Sequence, residues 1–588
     1  MRRIFSILLF SLITLSNILY SEQKLELNSL EFENTNWGYN PTDGVYYKIG
    51  LVYCENPVNT EYESLALYVP KEYLTCTESE GKYNCKINSS GKKGSYTAKN
   101  APMVMPVNTP GYSAMKAPTS YDYRTVSEFL QKGIIYIYAG CRGKYDEQTN
   151  FTSGAPWGVT DLKAAVRYIR YNKDLIPGDS NKIYTFGMSG GGAQSCLMGA
   201  TGNSPLYQNY LTEIGAKMED KNGKEIKDNV KGSQCWCPIT NLDTADAAYE
   251  WNMGQYYFEG TRANDTFTKS LSDDLAEEYA KYVNDIKLKD PKGNVLTLTN
   301  TNEGSYYDYL KLVIEESLNN FFEDTTFPYT PDGGRPFNQP PGPNPEPSKT
   351  YNTTEEYIND KNSDYEWLYY DNFTKKATIK SVGDFVKHCK LAKKDVAAFD
   401  DLNRNQAENQ VFGTDINEKV KHFDKTVYKL LSNNNETYAN KSGWNENYIT
   451  DYLNDLDDVD LLGVNITTRL NMYNPMYYLI DYYEGYKTSD VADYFRINTG
   501  LFQPDTGNVV EMNLYLALKS LGKNVEFTTV WEKQHVEAER KGDANTNFIS
   551  WIEQIEGANE DNKETDTSFS ILMKINYLIY SLSLLLLV

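Results

Sequence analysis

Apolar residues between positions 101 and 253 occur in short runs separated by helical stretches. Residues 103–107 and 133–139 are apolar runs of strand length, each bounded by polar or turn-forming residues. Residues 157–172 instead carry apolar side chains at helical spacing: Val159, Leu162, Ala165, Val166 and Ile169. A further helix is predicted over 121–132, and further strands are predicted near residues 182–186 and 230–237. Strands that alternate with helices predict a mostly parallel sheet flanked by helices.

The alternation stops near residue 253 and returns near residue 493. Residues 254–470 are acidic, irregular and mainly helical in pattern, and they include a Pro-rich spacer at 327–348. The late segment predicts, in order, strand 494–499, helix 509–521, strand 525–531 and helix 547–555. We therefore expect one α/β domain formed by 22–253 and 471–556. An insertion at 254–470 would be a lid over its site.

Both ends of the chain have the pattern of targeting segments. Arg2 and Arg3 precede an apolar run at 4–18, which predicts a signal peptide over 1–21. Residues 557–588 contain small residues, a polar spacer and a terminal apolar run, an order typical of a GPI-attachment signal. A plain membrane anchor is the alternative. Export to the cell surface agrees with eight N-glycosylation sequons: Asn88, Asn150, Asn264, Asn352, Asn372, Asn435, Asn440 and Asn465.

Composition narrows the classes of partner and cofactor. The net charge of −22 disfavours nucleic acid and anionic membrane surfaces, so membrane contact is expected only through the C-terminal tail. Three histidines and no H-E-x-x-H motif argue against a zinc hydrolase, and no metal or cofactor is expected. Eight cysteines permit disulfides in an oxidising compartment, and Cys76 with Cys85, which bracket a turn-rich segment, form the best candidate pair.

The most specific chemical motif is Gly187-Met-Ser189-Gly-Gly191, between a predicted strand and a predicted helix. Strand, G-x-S-x-G and helix in this order form the nucleophile elbow of α/β-hydrolases, in which glycines let the backbone turn tightly below an exposed serine. This context predicts the α/β-hydrolase fold and makes Ser189 the candidate nucleophile. An ordinary glycine-rich turn is the alternative.

A serine nucleophile needs a base, and in this fold the chain order is serine, acid, histidine. His388 and His422 lie within the insertion, whereas His535 follows the last predicted strand, where the fold places its base. Asp505 is the only carboxylate in the loop after strand 494–499, so it is the expected acid. The alternative role for Asp505 is an N-cap of the next helix.

Two backbone N–H groups are expected to form the oxyanion hole. Gly190 follows the nucleophile and supplies one. The other comes from the loop after strand 103–107, where Pro110 has no N–H, so Thr109, Gly111 or Tyr112 must donate.

Over about 100–253 and 390–540, the chain resembles the bacterial-type tannase and feruloyl-esterase-like branch of the α/β-hydrolases. The matching pieces are Ala101-Pro-Met-Val-Met-Pro106 with Asn108 and Gly111-Tyr112; Ala139-Gly140 with Arg142-Gly143; Asp161-Leu-Lys-Ala-Ala-Val-Arg-Tyr168; Ile176-Pro-Gly-Asp179; Gly202-Asn-Ser-Pro-Leu-Tyr207; Cys237-Pro-Ile-Thr-Asn-Leu-Asp243; Ala398-Phe-Asp400, Glu408-Asn409 and Phe412-Gly413; and Asn474-Pro-Met476. The resemblance implies hydrolysis of esters, often of phenolic acids such as gallate, with Ser189 as nucleophile and His535 as base.

The chain departs from this family where the triad acid is expected. Gallate-cleaving members carry the acid three residues after the loop glycine and a substrate-binding Asp two residues further on, which correspond here to Gln503 and Asp505. Either Asp505 has taken over the triad, or Gln503 leaves the triad without a carboxylate. The family also binds the substrate ring through a Lys and a Glu of the lid, and the resemblance assigns these roles to Lys394 and Glu408. Gln503 is the third expected substrate-binding residue.

The sequence therefore predicts a secreted or tethered serine esterase for phenolic (galloyl or feruloyl) or acetyl esters, whose substrate is a small molecule or is linked to a polysaccharide. A serine peptidase of the same fold is one alternative, although residues 22–100 are too short for a propeller. A non-catalytic hydrolase-fold binding module is another, which Gln503 favours and the intact elbow disfavours. The oligomeric state is not predicted.

Overall fold

The computed structural model describes residues 30–256, 262, 265–331 and 349–557. The predicted signal peptide at 1–21, nearly all of the C-terminal segment at 557–588, Asn264 and most of the Pro-rich spacer lie outside these described residues. Within them, no helix is both long and apolar enough to cross a membrane.

Fifteen strands are found in the described part of the chain. They are β1 (Gly38–Asn40), β2 (Val45–Val52), β3 (Ser64–Pro70), β4 (Leu74–Ser79), β5 (Lys82–Ile87), β6 (Lys92–Lys93), β7 (Tyr96–Thr97), β8 (Met103–Val107), β9 (Ile135–Ala139), β10 (Ile183–Met188), β11 (Gly232–Trp236), β12 (Leu368–Asp371), β13 (Lys376–Ile379), β14 (Tyr494–Gly500) and β15 (Asn524–Val530).

Nine of these strands form the central sheet, in the order β1-β2-β3-β9-β8-β10-β11-β14-β15. The six strands from β9 to β15 in this order are mutually parallel, and β1, β2 and β3 extend the sheet by antiparallel pairing. The prediction of a mostly parallel sheet is thereby confirmed. Because β14 pairs with β11, the chain returns to the same sheet after an excursion of more than 250 residues.

Seventeen α-helices are found in the same described residues. They are α1 (Ser127–Gln131), α2 (Trp157–Tyr171), α3 (Gly190–Ala200), α4 (Gln208–Glu213), α5 (Ala245–Asn252), α6 (Thr266–Ile286), α7 (Ser305–Asp324), α8 (Thr354–Lys361), α9 (Val382–Cys389), α10 (Ala407–Val411), α11 (Lys425–Asn433), α12 (Asn435–Tyr438), α13 (Tyr448–Leu456), α14 (Ile466–Met472), α15 (Met476–Leu479), α16 (Asn508–Ser520) and α17 (Ala544–Ile555). Short 3₁₀ turns lie at Lys71–Tyr73, Pro110–Tyr112, Pro205–Tyr207 and Gly254–Tyr256.

Helices cover both faces of the sheet, as consecutive residues of β10 show. Phe186 points to one face, where its ring lies 5.5 Å from that of Phe129 in α1 and 4.8 Å from that of Phe548 in α17. Thr185 points to the other face, where its hydroxyl lies 3.0 Å from that of Ser195 in α3. A strand buried on both sides carries little polar alternation, which explains the apolar runs of the sequence.

The region between β11 and β14 is mainly helical, as predicted, but it is not entirely so. Strands β12 and β13 pair antiparallel inside it as a small hairpin, which the sequence pattern did not indicate. A second difference lies before β9, where a helix was predicted over 121–132 and only Ser127–Gln131 is helical. The preceding residues bind through side chains instead, as when the Tyr121 hydroxyl donates to Asp43 at 2.9 Å.

The predicted disulfide between Cys76 and Cys85 is confirmed. The two cysteines face each other across the antiparallel pair β4 and β5, with Cα atoms 4.0 Å apart. Direct cross-strand neighbours lie close enough for the bond, which two residues nine apart reach through a tight hairpin. The disulfide therefore staples a hairpin that stands outside the central sheet.

Candidate active site

Ser189 occupies a sharp turn between β10 and α3. Its backbone has φ 60° and ψ −125°, a conformation that residues with a side chain rarely adopt. The turn is also tightly packed, since a Cβ on Gly191 would lie 2.0 Å from the carbonyl oxygen of Val107. Strain and crowding of this kind are characteristic of the nucleophile elbow, where they hold the serine hydroxyl clear of the sheet.

His535 reaches this hydroxyl from the loop that follows β15. Its Nε2 lies 2.7 Å from the Ser189 Oγ, although the two residues are 346 positions apart in the chain. The remaining histidines have other contacts. His388 donates from Nδ1 to the Asp384 carbonyl at 2.7 Å, and His422 is buried against the Asp400 carboxylate at 2.8 Å.

The surroundings of His535 favour the neutral imidazole. Burial lowers the pKa of His535 below its ordinary value. The Asp505 carboxylate opposes this shift, and the positive charges of Lys394 and Lys390 add to it. A neutral imidazole accepts a proton, so the lowered pKa suits a general base at neutral pH.

An amide, and not a carboxylate, makes the hydrogen bond at the other imidazole nitrogen. His535 Nδ1 lies 2.6 Å from the Gln503 Oε1. The Asp505 Oδ2 is 3.8 Å from the same nitrogen, and its side chain is 39 % exposed. Gln503 therefore makes the hydrogen bond that was expected from Asp505, while Asp505 stays within ion-pair distance of the imidazole. After β14, the side chain at position 503 is buried, whereas the one at position 505 is partly exposed.

Gln503 is itself held by buried polar groups. Its Nε2 donates to the Thr499 hydroxyl at 2.6 Å and to the Glu511 Oε1 at 2.8 Å. The Thr499 hydroxyl donates to the same carboxylate oxygen at 3.0 Å. Sequence reasoning did not identify Glu511. The available signal was a lone acidic residue in the otherwise apolar run Val509-Val-Glu-Met512 of α16.

The loop after β8 lies directly over the elbow. A Cβ on Gly190 would come within 2.5 Å of the Tyr112 nitrogen and 2.7 Å of the Thr109 oxygen, so only glycine permits this approach. The Tyr112 N–H donates to the Thr109 carbonyl at 2.9 Å, and Gly111 has a positive φ of 54°. Three of the four residues expected at the oxyanion hole, Thr109, Gly111 and Tyr112, therefore pack against the fourth, Gly190, which directly follows Ser189.

Two of the expected substrate-binding residues, Lys394 and Glu408, lie on the inserted region and are close to different residues of the site. Lys394 is close enough to His535 to lower the pKa of the imidazole, and its Nζ sits 3.8 Å from the ring centroid of Phe399. Glu408, on α10, is buried and adds to the rise in the pKa of Tyr112, which burial causes. The third, Gln503, contacts His535 and lies behind the imidazole.

Comparisons with known proteins agree with this fold and site. The BD-FAE family model, which is feruloyl-esterase-like, matches residues 94–280. Among solved structures, tannin acyl hydrolase from Lactobacillus plantarum matches with a TM-score of 0.66 and 24 % identity, covering 90 % of this chain and 99 % of that one. The tannase of Fusobacterium nucleatum matches with a TM-score of 0.63 and 27 % identity, covering 87 % and 95 % of the two chains.

The chain resembles the bacterial tannases. A shorter match, 43 % identical over 58 residues, is to esterase LipC of Mycobacterium tuberculosis. That match spans 10 % of this chain and 14 % of LipC. The named matches are to ester hydrolases, and the predicted fold and family resemblance are confirmed.

Several residues that carry the tannase resemblance support the site without lying in it. Arg142 donates to the Asp161 carboxylate through Nε at 2.9 Å and Nη2 at 2.6 Å, with both side chains buried. In the inserted region, Asp400 accepts from Asn409 at 2.8 Å and from the backbone of Phe423 at 2.7 Å. Bonded buried charges of this kind are costly to break, so they fix the loops that surround the elbow.

The tannase-like site has no metal cluster in the part of the chain that the structure describes. There, no group of three or more His, Cys, Asp or Glu side chains is placed to hold an ion. The functional groups that meet at Ser189 are those of acyl transfer: a hydroxyl, an imidazole and backbone N–H donors.

Proposed function

We propose that this protein is a serine carboxylic ester hydrolase that acts on phenolic esters, with Ser189 as nucleophile and His535 as general base. The observation that carries the proposal is the 2.7 Å contact between the Ser189 Oγ and the His535 Nε2 on a strained elbow. Nucleophile and base within hydrogen-bond distance, with the base held by a third group, are the signature of covalent acyl transfer.

In the first half of the reaction, the Ser189 oxygen attacks the ester carbonyl while its proton passes to the Nε2 of His535. The carbonyl oxygen becomes negatively charged. It is stabilised by the N–H of Gly190 and by an N–H of the loop containing Thr109, Gly111 and Tyr112. The C–O bond to the alcohol then breaks, and the alcohol leaves with the proton from His535. An acyl group remains on Ser189.

In the second half, His535 takes a proton from water as the water oxygen attacks the acyl carbon. The bond between the acyl group and the Ser189 oxygen breaks, and the serine regains its proton from His535. The products are a carboxylic acid and the free enzyme. Both halves need the same imidazole tautomer, with a proton on Nδ1 and a free lone pair on Nε2.

We assign the inserted region as a lid over the site. Its side chains favour a substrate with a phenolic acyl group. Lys394 lies close enough to His535 to lower the pKa of its imidazole, and Glu408 lies close enough to Tyr112 to add to the rise in the pKa of its hydroxyl. A cation and a carboxylate from different segments of the insertion are therefore near the residues around Ser189. Such a pair matches the hydrogen-bonding hydroxyls of an aromatic ring better than a bare acetyl group. The partly exposed Asp505 carboxylate is available to a ring hydroxyl, because the hydrogen bond at the His535 Nδ1 is made by Gln503.

Hydrolysis of methyl gallate, methyl ferulate and p-nitrophenyl acetate, compared between the wild type and Ser189→Ala, tests this function. We expect turnover of the phenolic esters by the wild type and none by the variant. A folded wild type that hydrolyses no ester would favour the binding module that Gln503 allows. Cleavage of a peptidyl p-nitroanilide without ester preference would favour a peptidase.

We further propose that the mature chain is exported and tethered at the cell surface. The Cys76–Cys85 disulfide supports export, because such bonds persist in oxidising compartments. Release of the protein from intact cells by a phosphatidylinositol-specific phospholipase would support a GPI anchor. Retention after that treatment, with release by detergent, would favour a plain membrane anchor.

A further inference from the structure

With Gln503 at this position, no carboxylate is hydrogen-bonded to the His535 Nδ1 in the proposed triad. An amide can hold the Nδ1 proton of His535, but it carries no charge to stabilise the imidazolium that forms during the reaction. An amide can also face the imidazole either way, with its oxygen or with its nitrogen. Asp505 lies 3.8 Å from the His535 Nδ1 and supplies some negative charge, but it does not orient the amide. Some other group must therefore fix the orientation of Gln503 and add negative charge behind it.

Glu511 lies where both tasks can be met. Its Oε1 accepts from the Gln503 Nε2 at 2.8 Å, while the Gln503 Oε1 lies 2.6 Å from the His535 Nδ1. A continuous line of hydrogen bonds thus joins Ser189, His535, Gln503 and Glu511. Glu511 and Gln503 are both fully buried, so no solvent interrupts this line.

We propose that Glu511 is the carboxylate of this catalytic site, acting as a positioning residue on His535 through the amide of Gln503. The proposal rests on the esterase function given above. The hydrogen bond between Glu511 and Gln503 is a separate observation. Glu511 touches neither the serine nor the space for substrate, so its effect on catalysis passes through the amide.

The physical reason is the acceptor-only character of an ionised carboxylate. A carboxylate cannot donate, so the group that faces Glu511 must be the NH₂ of Gln503, and the amide oxygen is then turned toward His535. The oxygen in turn accepts only from a protonated Nδ1. Glu511 therefore selects the tautomer in which Nε2 is free to take the Ser189 proton.

Burial of the Glu511 carboxylate costs free energy of folding. Its Oε2 has no hydrogen-bond partner within the described residues, and burial raises the pKa of Glu511 to about 7. A carboxylate in such surroundings is costly compared with an apolar side chain of the same size. The structure keeps this carboxylate and places it one amide away from the base.

Two other titratable groups face Glu511. Lys390, at the end of α9, is fully buried, donates to the backbone oxygen of Gln503, and opposes the rise in the pKa of Glu511. Burial lowers the pKa of Lys390 itself to about 8. The second group is the Cys237 thiol. Burial raises the pKa of this thiol to about 12, so it stays neutral. The lysine is thus the countercharge of the buried carboxylate.

The isosteric variant Glu511→Gln tests the proposal. We expect kcat to fall by about 10- to 100-fold, as when the outer hydrogen-bond partner of a metal-ligating histidine is lost, with KM little changed. In ¹⁵N-histidine NMR spectra, only three histidines contribute signals, and we expect His535 to change from the Nδ1–H tautomer to a mixture. An unchanged kcat and an unchanged tautomer would overturn the proposal.

The exchange variant Gln503→Glu/Glu511→Gln is the matched control. It keeps the volume and net charge of the pair but puts the carboxylate directly on His535 and the amide behind it. We expect kcat to return at least to the wild-type value and His535 to stay in the Nδ1–H form. A folded exchange variant as slow as Glu511→Gln would contradict the proposal. If the single variant does not fold, this comparison is made against the wild type.

The NMR measurement separates this proposal from the esterase assignment. If the wild type hydrolysed no ester and yet its His535 tautomer depended on Glu511, the positioning role would stand and the esterase function would fail. If the wild type hydrolysed esters and Glu511→Gln matched it in both measurements, the esterase would stand and the role of Glu511 would fail.

Discussion

The imidazole of His535 is held by the side-chain oxygen of Gln503, which lies 2.6 Å from its Nδ1. An amide thus occupies the place that an acid has in a serine hydrolase triad. The Asp505 carboxylate is 3.8 Å from the same nitrogen. This arrangement makes different predictions for the two residues.

Asp505→Asn should lower kcat by less than about tenfold. The substitution removes a charge near His535 but leaves its hydrogen-bonded partner in place, whereas loss of a true triad acid costs about four orders of magnitude in a serine protease. The measurement is kcat on p-nitrophenyl acetate, with Gln503→Ala as the contrasting variant, which should be far slower. A loss near 10⁴-fold in Asp505→Asn would make Asp505 the functional acid.

In the Glu511→Gln background, the pH dependence of kcat/KM should show an acidic limb with an apparent pKa below about 6.5, the ordinary value for histidine. This background is used because burial raises the pKa of Glu511 to about 7, so its own protonation would lower the activity of the wild type in the same pH range. The second variant, Asp505→Asn, is added to the same background. Burial lowers the pKa of His535, and the base works only when neutral, so activity persists to lower pH than an unperturbed histidine would allow. Asp505→Asn removes a charge that raises this pKa, so its limb should move to still lower pH. Rates on an uncharged ester between pH 4 and 9 check both statements. A midpoint above 6.5 would contradict them.

Lys394→Ala should reduce kcat/KM for methyl gallate by about 10- to 100-fold, which is the value of a hydrogen bond to a charged group. The same variant should change kcat/KM for p-nitrophenyl acetate far less, because that substrate has no hydroxyl on its acyl group. Lys393→Ala is the control, because Lys393 is the adjacent residue and its side chain is exposed. Equal losses on both esters would show that Lys394 acts on His535 and not on the ring.

Replacing both Cys76 and Cys85 by serine should destabilise the protein by roughly 2–3 kcal/mol, the loop-closure value for a bridge across about ten residues. The disulfide staples a hairpin outside the central sheet, so kcat at low temperature should be unchanged. Thermal unfolding with and without the substitutions measures the first effect, and ester hydrolysis at 20 °C measures the second. A large loss of kcat would place this hairpin in contact with the site.

The proposed nucleophile, Ser189, and the proposed base, His535, could be predicted from the sequence because each is indicated by a local pattern. The glycines around Ser189 and the flanking strand and helix are contiguous, and chain order separated His535 from His388 and His422. The middle of the site was not accessible in this way. Gln503 and Asp505 share one loop, and only the path of its backbone decides which side chain reaches His535.

By itself, the sequence determined the parallel sheet, the elbow at Ser189 and the position of His535 after the last strand. Burial periodicity and turn chemistry are encoded by neighbouring residues, so these features can be predicted locally. The tertiary structure alone decided the partner of the imidazole and the carboxylate behind it. Gln503 and Glu511 lie eight residues apart, in the loop after β14 and in α16, whereas Lys390 comes from the inserted region. The hydrogen bonds among them depend on tenths of an ångström in the relative placement of these side chains. No local pattern specifies a distance between side chains that only the folded backbone brings together.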